Sequence, residues 1–475
     1  MSAPLARLVF PSLRGRAAGF AHERAKIDAA LRAGVGGFIV FSGSREHVAA
    51  LTRDLRAQAG RPLLIGADLE RGTAQQVRGL TELPPPGALG FLDDLEATAT
   101  AGLVTAVEAR GVGINWAFAP VCDLDLEARN PIVQTRSFGA DPQRVATHAA
   151  RWIRACQEHG VAACAKHYPG HGRTVTDSHE TLPVVPAPLT ELQAMDALPF
   201  AHAVAAGAGT VMTAHVAYSQ WDAARAATFS PAVLGYLRTT LGFAGPVVTD
   251  ALIMEGALAG RAETRAVVAA VAAGCDFLLY PRDFVAVVAA LEAAVGNELS
   301  RARVDEALAR YESAVASWDR TAPPLDANVQ SHATFAESLA DRALHWLRGE
   351  APRLGGPLAV TVVDDDVGGP YRVGPRDVFA GSLRAAGVPV SGGEGRGARV
   401  VLVYAEPLSW KGRAHLSERS RARLDRLAPG AALIVLFGHP RLAAQLPGSA
   451  PVLCAWHGQP LMQRAAARRA LSSGT

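Results

Sequence analysis

One short segment of the chain carries a dense group of side chains that can exchange protons. The run KHYPGHGRTVTDSHETLP, residues 166–183, contains a lysine, three histidines and an aspartate. Proline removes a backbone donor and glycine favours turns, so this composition excludes a helix. The segment is predicted to be an ordered polar loop.

Three interpretations of this loop are open. Histidine is a common metal ligand, but the spacing matches no zinc motif. The loop could also be purely structural, held by backbone hydrogen bonds. In the third interpretation, Asp177 and His179, two residues apart, face the same side of an extended chain and meet. A carboxylate on one imidazole nitrogen fixes the tautomer, which leaves the other nitrogen free for acid–base catalysis.

A second candidate is Asp250, which ends the apolar run of GPVVTDALIM, residues 245–254. An aspartate in this position can cap the following helix. It can equally be a carboxylate nucleophile. A nucleophilic carboxylate combined with a separate proton donor is the equipment of a retaining glycosidase, with a histidine here as the donor.

The elements that must position these residues are short apolar runs that alternate with helical patterns. Near-continuous apolar runs are typical of parallel strands buried on both faces. Eight strand–helix units within about 300 residues predict an α/β fold of the (β/α)8 TIM-barrel class, with an open doubly wound sheet as the rival. The eight predicted strands are 8–10, 37–41, 62–68, 114–121, 161–167, 210–215, 246–250 and 275–281.

Polar residues cluster where these runs stop. Asp68, Lys166, His167, His215 and Asp250 each lie at or just past the carboxyl end of a predicted strand. In a (β/α)8 barrel the active site lies at that end.

The domain organisation predicted from these patterns has three parts. Residues 1–320 form the catalytic barrel, 321–334 a proline-containing linker, and 335–475 a smaller α/β parallel-sheet sandwich domain. A helix is expected over 335–348. Further strands are expected over 358–364, 399–404, 432–437 and 451–456.

Composition narrows the function classes. The net charge is +3 from 47 basic and 44 acidic residues. This balance does not suggest a protein that binds nucleic acid or a membrane surface. The five cysteines are scattered singly, so a disulfide scaffold or thiolate zinc cluster is not expected. No signal-peptide core or long apolar span occurs, and the expected location is the cytoplasm. Composition says nothing about the oligomeric state.

Taken together, these motifs resemble the family 3 glycoside hydrolases over roughly the first 320 residues. The resemblance rests on the loop at 166–183, with FAPVCDLD, NP and RSFGADP before it and VVTDALIMEGA after it. Within the family, the Asp-x-His pair makes the chain resemble the bacterial β-N-acetylglucosaminidase (β-N-acetylhexosaminidase) branch. Family 3 β-glucosidases share the barrel and nucleophile but typically take their acid/base glutamate from another region.

The resemblance implies a role for each matching residue. Asp250 would be the nucleophile, His179 the acid/base and Asp177 its partner. The implied substrate-binding residues are Asp68, Arg136, Lys166, His167 and Arg78. Arg136 could instead belong to a structural ion pair. The implied reaction is release of terminal β-linked N-acetylglucosamine from small glycosides such as peptidoglycan fragments, with retention and without metal or cofactor.

Three features depart from the family pattern. Arg71 replaces a glycine in the stretch from Asp68 to Arg78, which is also longer than usual. Ala251 follows the nucleophile where the family often has a second aspartate. The second domain is missing from the short members and resembles that of longer ones. A β-glucosidase or mixed β-hexosidase, a sugar-binding protein on a barrel, and a metallohydrolase remain alternatives.

Overall fold

The computed structural model describes residues 4–258, 260–318, 329–369, 373–393 and 395–472. Short parallel strands dominate the first part of the chain, and most of their residues are buried. These strands are β1 (Val9–Phe10), β2 (Ser12–Arg14), β3 (Gly37–Phe41), β4 (Leu64–Ala67), β5 (Trp116–Ala117), β6 (Ala162–Tyr168), β7 (Val184–Val185), β8 (Thr210–Thr213), β9 (Ala217–Tyr218), β10 (Val247–Thr249) and β11 (Leu278–Leu279).

The pairing of these strands produces the predicted barrel. Seven strands are hydrogen-bonded in the order β10-β8-β6-β5-β4-β3-β2, all parallel. The circle closes because β1, which continues into β2, pairs with β11, and β11 is bridged to β10 through Phe277 and Val248. The eight predicted strands therefore exist, although most are shorter than the apolar runs that predicted them. The small pair β7–β9 lies outside this circle.

Helices follow each strand of the barrel, and capping residues set several of their starts. The side chains of Ser44, Asp94 and Asp141 accept backbone N–H groups in the first turns of three helices. A π-helical turn, Leu192–Asp196, precedes α7. The helices are α1 (Arg24–Ala33), α2 (Arg45–Ala59), α3 (Pro86–Leu92), α4 (Leu95–Gly111), α5 (Pro142–Glu158), α6 (Leu189–Glu191), α7 (Leu198–Ala205), α8 (Pro231–Thr239), α9 (Glu255–Leu258), α10 (Glu263–Ala273), α11 (Phe284–Ala294) and α12 (Arg301–Trp318).

Large aromatic side chains fill the inside of the barrel. Phe10 packs against Trp116 and Phe277 with ring centroids 5.5 and 5.1 Å apart. All five cysteines are free and buried. The interior is thus a packed core, so chemistry is confined to the ends of the strands.

The second part of the chain is a six-stranded sheet in the order β12-β17-β16-β15-β13-β14. Five strands are parallel, but the edge strand β12 is antiparallel to β17. The four strands predicted from the sequence are thus parallel, and the antiparallel edge strand is one that the sequence did not predict. The elements are α13 (Val329–Ala343), β12 (His345–Arg348), β13 (Leu358–Asp364), α14 (Val378–Ala385), β14 (Val390–Gly392), β15 (Ala398–Ala405), α15 (Glu418–Leu427), β16 (Leu433–Gly438), β17 (Val452–Cys454) and α16 (Pro460–Ser472).

Two boundaries differ from the sequence prediction. Residues 321–328 of the predicted linker lie outside the described residues, but the rest of it belongs to helix α13. The helix expected over 335–348 ends at Ala343, and its last residues form β12. Residues 345–348 form a strand instead of a helix because they pair with β17, and pairing with a neighbouring strand overrides local helix propensity.

The two parts of the chain pack closely against each other. The side chain of Gln459 donates to the Leu83 carbonyl at 2.7 Å, and Arg441 and His439 both contact the Asp125 carboxylate. One hydrophobic core runs through both parts. In the portion of the chain that the structure describes, no helix is both long and apolar enough to cross a lipid bilayer.

Candidate active site

A pocket of about 270 Å³ opens at the carboxyl end of the barrel strands. Its polar wall contains most of the residues predicted from the sequence to bind or react. These are Asp68, Arg136, Lys166, His167, His179 and Asp250. The structure therefore brings together side chains that lie as many as 182 residues apart in the sequence, as the barrel topology requires.

One wall of the pocket is a cluster of two acids and two bases. Lys166 Nζ lies 2.7 Å from Asp68 Oδ1 and 2.7 Å from Glu70 Oε1. Arg136 donates to both oxygens of Glu70, at 2.9 and 2.7 Å. Burial would lower the pKa of Lys166, but the two carboxylates outweigh it and raise that pKa. Lysine, arginine and Glu70 thus stay charged, and Asp68, the more exposed acid, is left facing the pocket.

Glu70 was not among the predicted site residues. It is buried, and Arg136 and Lys166 overcome the effect of that burial and hold its pKa well below the ordinary value. The structural ion pair that the sequence analysis gave as the alternative role for Arg136 is thus present, and it lies on the pocket wall. The signal in the sequence is the position of Glu70, two residues beyond Asp68 and on the same side of an extended segment.

His167 is fixed in the pocket by a buried carboxylate. Its Nδ1 lies 2.7 Å from Asp123 Oδ2, and its backbone N–H donates to Asp123 Oδ1 at 3.0 Å. Its other ring nitrogen, Nε2, lies 3.9 Å from Asp250 Oδ2. Asp123 is a second residue that the sequence reasoning did not single out, although it follows a predicted strand within the FAPVCDLD run.

Asp250 presents its carboxylate to the pocket. The Ala251 N–H donates to Oδ1 at 2.7 Å, while Oδ2 faces His167. Burial would raise the pKa of Asp250, but the surrounding imidazoles, His167 foremost, and the Ala251 N–H lower it to about 2. Asp250 is not a helix cap, because the next helix begins only at Glu255. The carboxylate is therefore ionised at neutral pH.

The predicted dyad is present on the loop. His179 Nδ1 lies 2.7 Å from Asp177 Oδ1. The Asp177 side chain is fully buried, whereas that of His179 is 40 % exposed, so the imidazole reaches the pocket while its partner does not. Burial opposes the imidazolium, but the hydrogen bond and charge of Asp177, together with the charge of Asp250, raise the pKa of His179 above its ordinary value.

The remaining histidine of the loop has a structural position. His171 Nε2 lies 2.9 Å from Ser178 Oγ, and its Nδ1 lies 2.9 Å from Thr174 Oγ1. Burial lowers the pKa of His171 to about 4, so it is neutral. The structural interpretation therefore applies to this one histidine, which braces the loop between Asp177 and the strand.

The loop is also attached to the segment that follows Asp250. The Gly256 N–H donates to the Ser178 carbonyl at 2.9 Å. A methyl group at Gly256 would lie 2.7 Å from that same carbonyl oxygen, so only glycine allows this approach. The backbone thereby links the two predicted catalytic groups.

His215, at the end of β8, is buried behind the pocket. Its Nδ1 lies 2.8 Å from Thr228 Oγ1, and Nε2 has no hydrogen-bond partner among the described residues. It does not line the pocket, but it contributes to lowering the pKa of Asp250.

The second part of the chain supplies one side of the pocket. Glu406, at the end of β15, and His457, just past β17, line it together with the loop residues Pro407, Leu408 and Ser409. Glu406 Oε1 accepts the Gly458 N–H at 2.7 Å, and Oε2 lies 3.4 Å from His457 Nε2. The sequence reasoning assigned no site residue here. The rule applied to the barrel, that polar residues at the carboxyl ends of parallel strands mark a site, would have found both.

Arg78 is the one predicted residue that the structure places elsewhere. Its side chain is exposed and lines a neighbouring cavity, not the pocket around Asp250. The longer stretch after Asp68 forms a 3₁₀ turn, Thr73–Gln75, that carries Arg78 away. Arg71 lines both the pocket and the cavity.

No metal centre is apparent in the parts of the chain that the structure covers. No group of three or more His, Cys, Asp or Glu side chains there is arranged to hold an ion. The histidines of the loop are instead engaged with carboxylates or hydroxyls. The geometry brings the predicted residues together, and their catalytic roles remain predictions.

Comparison with known proteins agrees with the pocket. Residues 8–314 match the glycosyl hydrolase family 3 N-terminal domain. A β-hexosaminidase of Thiobacillus denitrificans is 39% identical over 255 residues, which are 52% of this chain and 71% of that one. A β-N-acetylglucosaminidase/β-glucosidase of Cellulomonas fimi is 35% identical over 288 residues, 58% of this chain and 51% of that one. A family 3 β-N-acetylglucosaminidase structure from Paenibacillus sp. str. FPU-7 superposes with a TM-score of 0.87 at 28% identity, covering 100% of this chain and 97% of that one.

Proposed function

The chain belongs to glycosyl hydrolase family 3, and from that membership we propose that it is a β-N-acetylhexosaminidase acting with retention. Its substrates are small glycosides with a terminal β-linked N-acetylglucosamine, peptidoglycan fragments among them. The observation that carries the proposal is that His179, hydrogen-bonded to the buried Asp177, lines the same pocket as the Asp250 carboxylate. The names of the similar proteins point to the same activity.

In the first chemical step Asp250 attacks the anomeric carbon. Oδ2 is the attacking oxygen in this proposal, because the Ala251 N–H already occupies Oδ1. His179 gives the proton on Nε2 to the glycosidic oxygen as the bond to the aglycone breaks. The products are the free aglycone and a covalent glycosyl ester on Asp250.

In the second step water replaces the carboxylate. His179, now neutral, takes a proton from the attacking water, and the C–O bond of the ester breaks to regenerate the Asp250 carboxylate. Two displacements at one carbon give overall retention. The raised pKa of His179 suits the first step, and Asp177 holds the imidazole in the tautomer that both steps need.

The charged wall of the pocket supports binding of a neutral sugar. Asp68, Lys166 and Arg136 present charged donors and acceptors, which form stronger and more directional hydrogen bonds to hydroxyls than neutral groups do. Because the buried Glu70 forms salt bridges with Lys166 and Arg136, these two side chains are held in position before the sugar binds.

The test is turnover of 4-nitrophenyl N-acetyl-β-glucosaminide and of the matching β-glucoside at equal concentration. We expect the first to be hydrolysed much faster, and nuclear magnetic resonance to show the β-anomer of the sugar first. A chelator should change neither rate. Release of the α-anomer first would contradict retention, and turnover of neither substrate would favour a sugar-binding protein.

A mixed β-hexosidase is the second candidate, because the Cellulomonas fimi relative carries both names. Comparable rates on both substrates would favour it. For peptidoglycan fragments, the measurement is mass-spectrometric detection of N-acetylglucosamine released from purified fragments. A cytoplasmic location is a separate proposal, and cell fractionation tests it.

A further inference from the structure

A second, larger cavity adjoins the catalytic pocket. It encloses about 790 Å³ between the barrel and the second part of the chain. Arg71, Glu406, Leu408 and His457 line both spaces, so the two lie side by side. The size of this cavity is that of a site for a small molecule.

Most charges on the cavity wall are neutralised by neighbours. Arg464 lies 2.8 Å from Glu337, and Arg376 is held between Asp366, at 2.8 Å, and other carboxylates. Glu406 is bound by the Gly458 N–H and approached by Arg376. These groups are committed to the protein and contribute little net charge.

Two arginines differ from the rest. No carboxylate within the described part of the chain lies within salt-bridge distance of the Arg71 or Arg78 guanidinium. The Arg71 guanidinium donates to an uncharged side-chain oxygen, Gln459 Oε1, at 3.1 Å. Glu82 also lines the cavity without a salt bridge among the described residues, and burial raises the pKa of its carboxyl. Two guanidinium groups thus face one such carboxyl, which leaves positive charge in excess.

The wall also offers an aromatic face. Trp410 lines the cavity and packs over the backbone at Gly369, where a methyl group would lie 2.1 Å from its ring. An indole face binds the apolar side of a sugar ring or a planar group. The cavity thus combines an aromatic surface with guanidinium groups that form no salt bridge within the described residues.

We propose that this cavity is the aglycone site and that Arg71, assisted by Arg78, selects aglycones that carry a carboxylate. The inference rests on the proposed glycosidase function. A guanidinium binds a carboxylate through paired, charge-assisted hydrogen bonds. Arg71 stands where the family pattern has a glycine, so this preference belongs to this chain and not to the fold.

The experiment compares two N-acetyl-β-glucosaminides that differ at one group of the aglycone. One carries 4-hydroxybenzoate and the other 4-hydroxybenzamide. The quantity measured is the ratio of their kcat/KM values, in which the intrinsic difference between leaving groups is constant across variants. We expect Arg71→Met to lower the carboxylate-to-amide ratio by roughly 10–100-fold, as for loss of a charged hydrogen bond. Arg78→Met should lower it less.

Two further variants serve as controls. Gln459→Met removes the hydrogen-bond partner of Arg71 but keeps the charge, and it should retain most of the ratio. Arg384→Met removes an exposed charge outside the cavity, and it should change neither the rates nor the ratio. If Arg71→Met does not fold, competitive inhibition of the native enzyme by free 4-hydroxybenzoate and 4-hydroxybenzamide replaces it, with tighter binding of the acid expected.

The outcomes separate the two proposals. Turnover of both substrates with an unchanged ratio in Arg71→Met and Arg78→Met would overturn the aglycone assignment alone. So would equal inhibition by the acid and the amide. Absence of turnover of every N-acetyl-β-glucosaminide would overturn the proposed function and the aglycone assignment with it.

Discussion

Asp177 Oδ1 binds His179 twice, facing the ring Nδ1 at 2.7 Å and accepting the backbone N–H at 2.9 Å. The other oxygen, Oδ2, is buried and has no partner within the described residues. The charge of Asp177 is thus poorly neutralised by anything except the imidazole. These two contacts fix the backbone and the ring of His179 and direct Nε2 towards the pocket.

Asp177→Asn is expected to slow hydrolysis of substrates with poor leaving groups by about 10²–10⁴-fold, the range for loss of general acid–base catalysis. Asn keeps the shape but removes the charge that raises the pKa of His179, so that pKa falls. Since the protonated imidazole is the acid, the alkaline limb of the kcat/KM profile should move to lower pH. The measurement is the pH–rate profile of both proteins.

A double-mutant comparison shows whether Asp177 acts through His179. Removing Asp177 in a His179→Ala background should cost little further activity. If the loss of rate in the double variant equals the product of the losses in the two single variants, Asp177 has an independent role, such as stabilising the loop.

His179→Ala should affect leaving groups unequally. An activated phenol departs without protonation, so its glycosylation step survives, whereas a poor leaving group should lose far more rate. The glycosyl-enzyme should then accumulate, because no base activates water. Added azide, which needs no base, should speed turnover and yield a glycosyl azide. Equal losses on both substrate types without azide rescue would refute the acid/base role.

Asp250→Ala should lower kcat/KM by about 10⁴–10⁶-fold, as when other enzymes lose a nucleophile. Intact-mass spectrometry of the native enzyme with a slow 5-fluoro-N-acetylglucosaminyl fluoride should detect one adduct, and peptide mapping should place it on Asp250. Because the pKa of Asp250 is about 2, the carboxylate stays ionised, and its protonation should not limit activity above about pH 3. An adduct on another residue would reassign the nucleophile.

Substitutions of Glu70 and Asp68 should have different effects, the first on the stability of the fold and the second on substrate binding. Glu70→Gln leaves the buried Lys166 and Arg136 with one carboxylate, and removal of one partner of such a cluster costs about 3–5 kcal/mol of unfolding free energy. Asp68→Asn removes the exposed acid and should cost kcat/KM roughly 10–100-fold with little loss of stability. Urea unfolding and steady-state kinetics on both variants test this. Equal stability of the two would contradict the buried role of Glu70.

Much of the barrel was predictable because its signal is local. The run Gly37–Phe41 forms a strand with the predicted bounds, since a strand covered on both faces needs apolar residues at every position. The dyad was predictable for the same reason, as two residues apart in an extended loop can meet. The location of Asp250 in the pocket was predictable from its place at a strand end.

The features that escaped prediction depend on distant neighbours. The role of Glu70 is set by Arg136, 66 residues away, and by Lys166. Glu406 reaches the pocket only because the second sheet packs over the mouth of the barrel. The strand His345–Arg348 exists because Val452–Cys454 offers it an edge. Local patterns mark Glu70 and Glu406 as candidates at most, because the partners of each residue are decided by packing between separate parts of the chain.

The five buried cysteines have a practical consequence for site-specific labelling of the loop at 166–183. Burial raises the pKa of every one of them, and a thiol that is neither exposed nor ionised reacts slowly with maleimides. A single cysteine introduced at the exposed Glu180, next to His179 and close to Gly412 in the loop after β15, would therefore take a fluorophore selectively. The native chain thus already provides a silent background for testing whether the loop moves when a sugar binds.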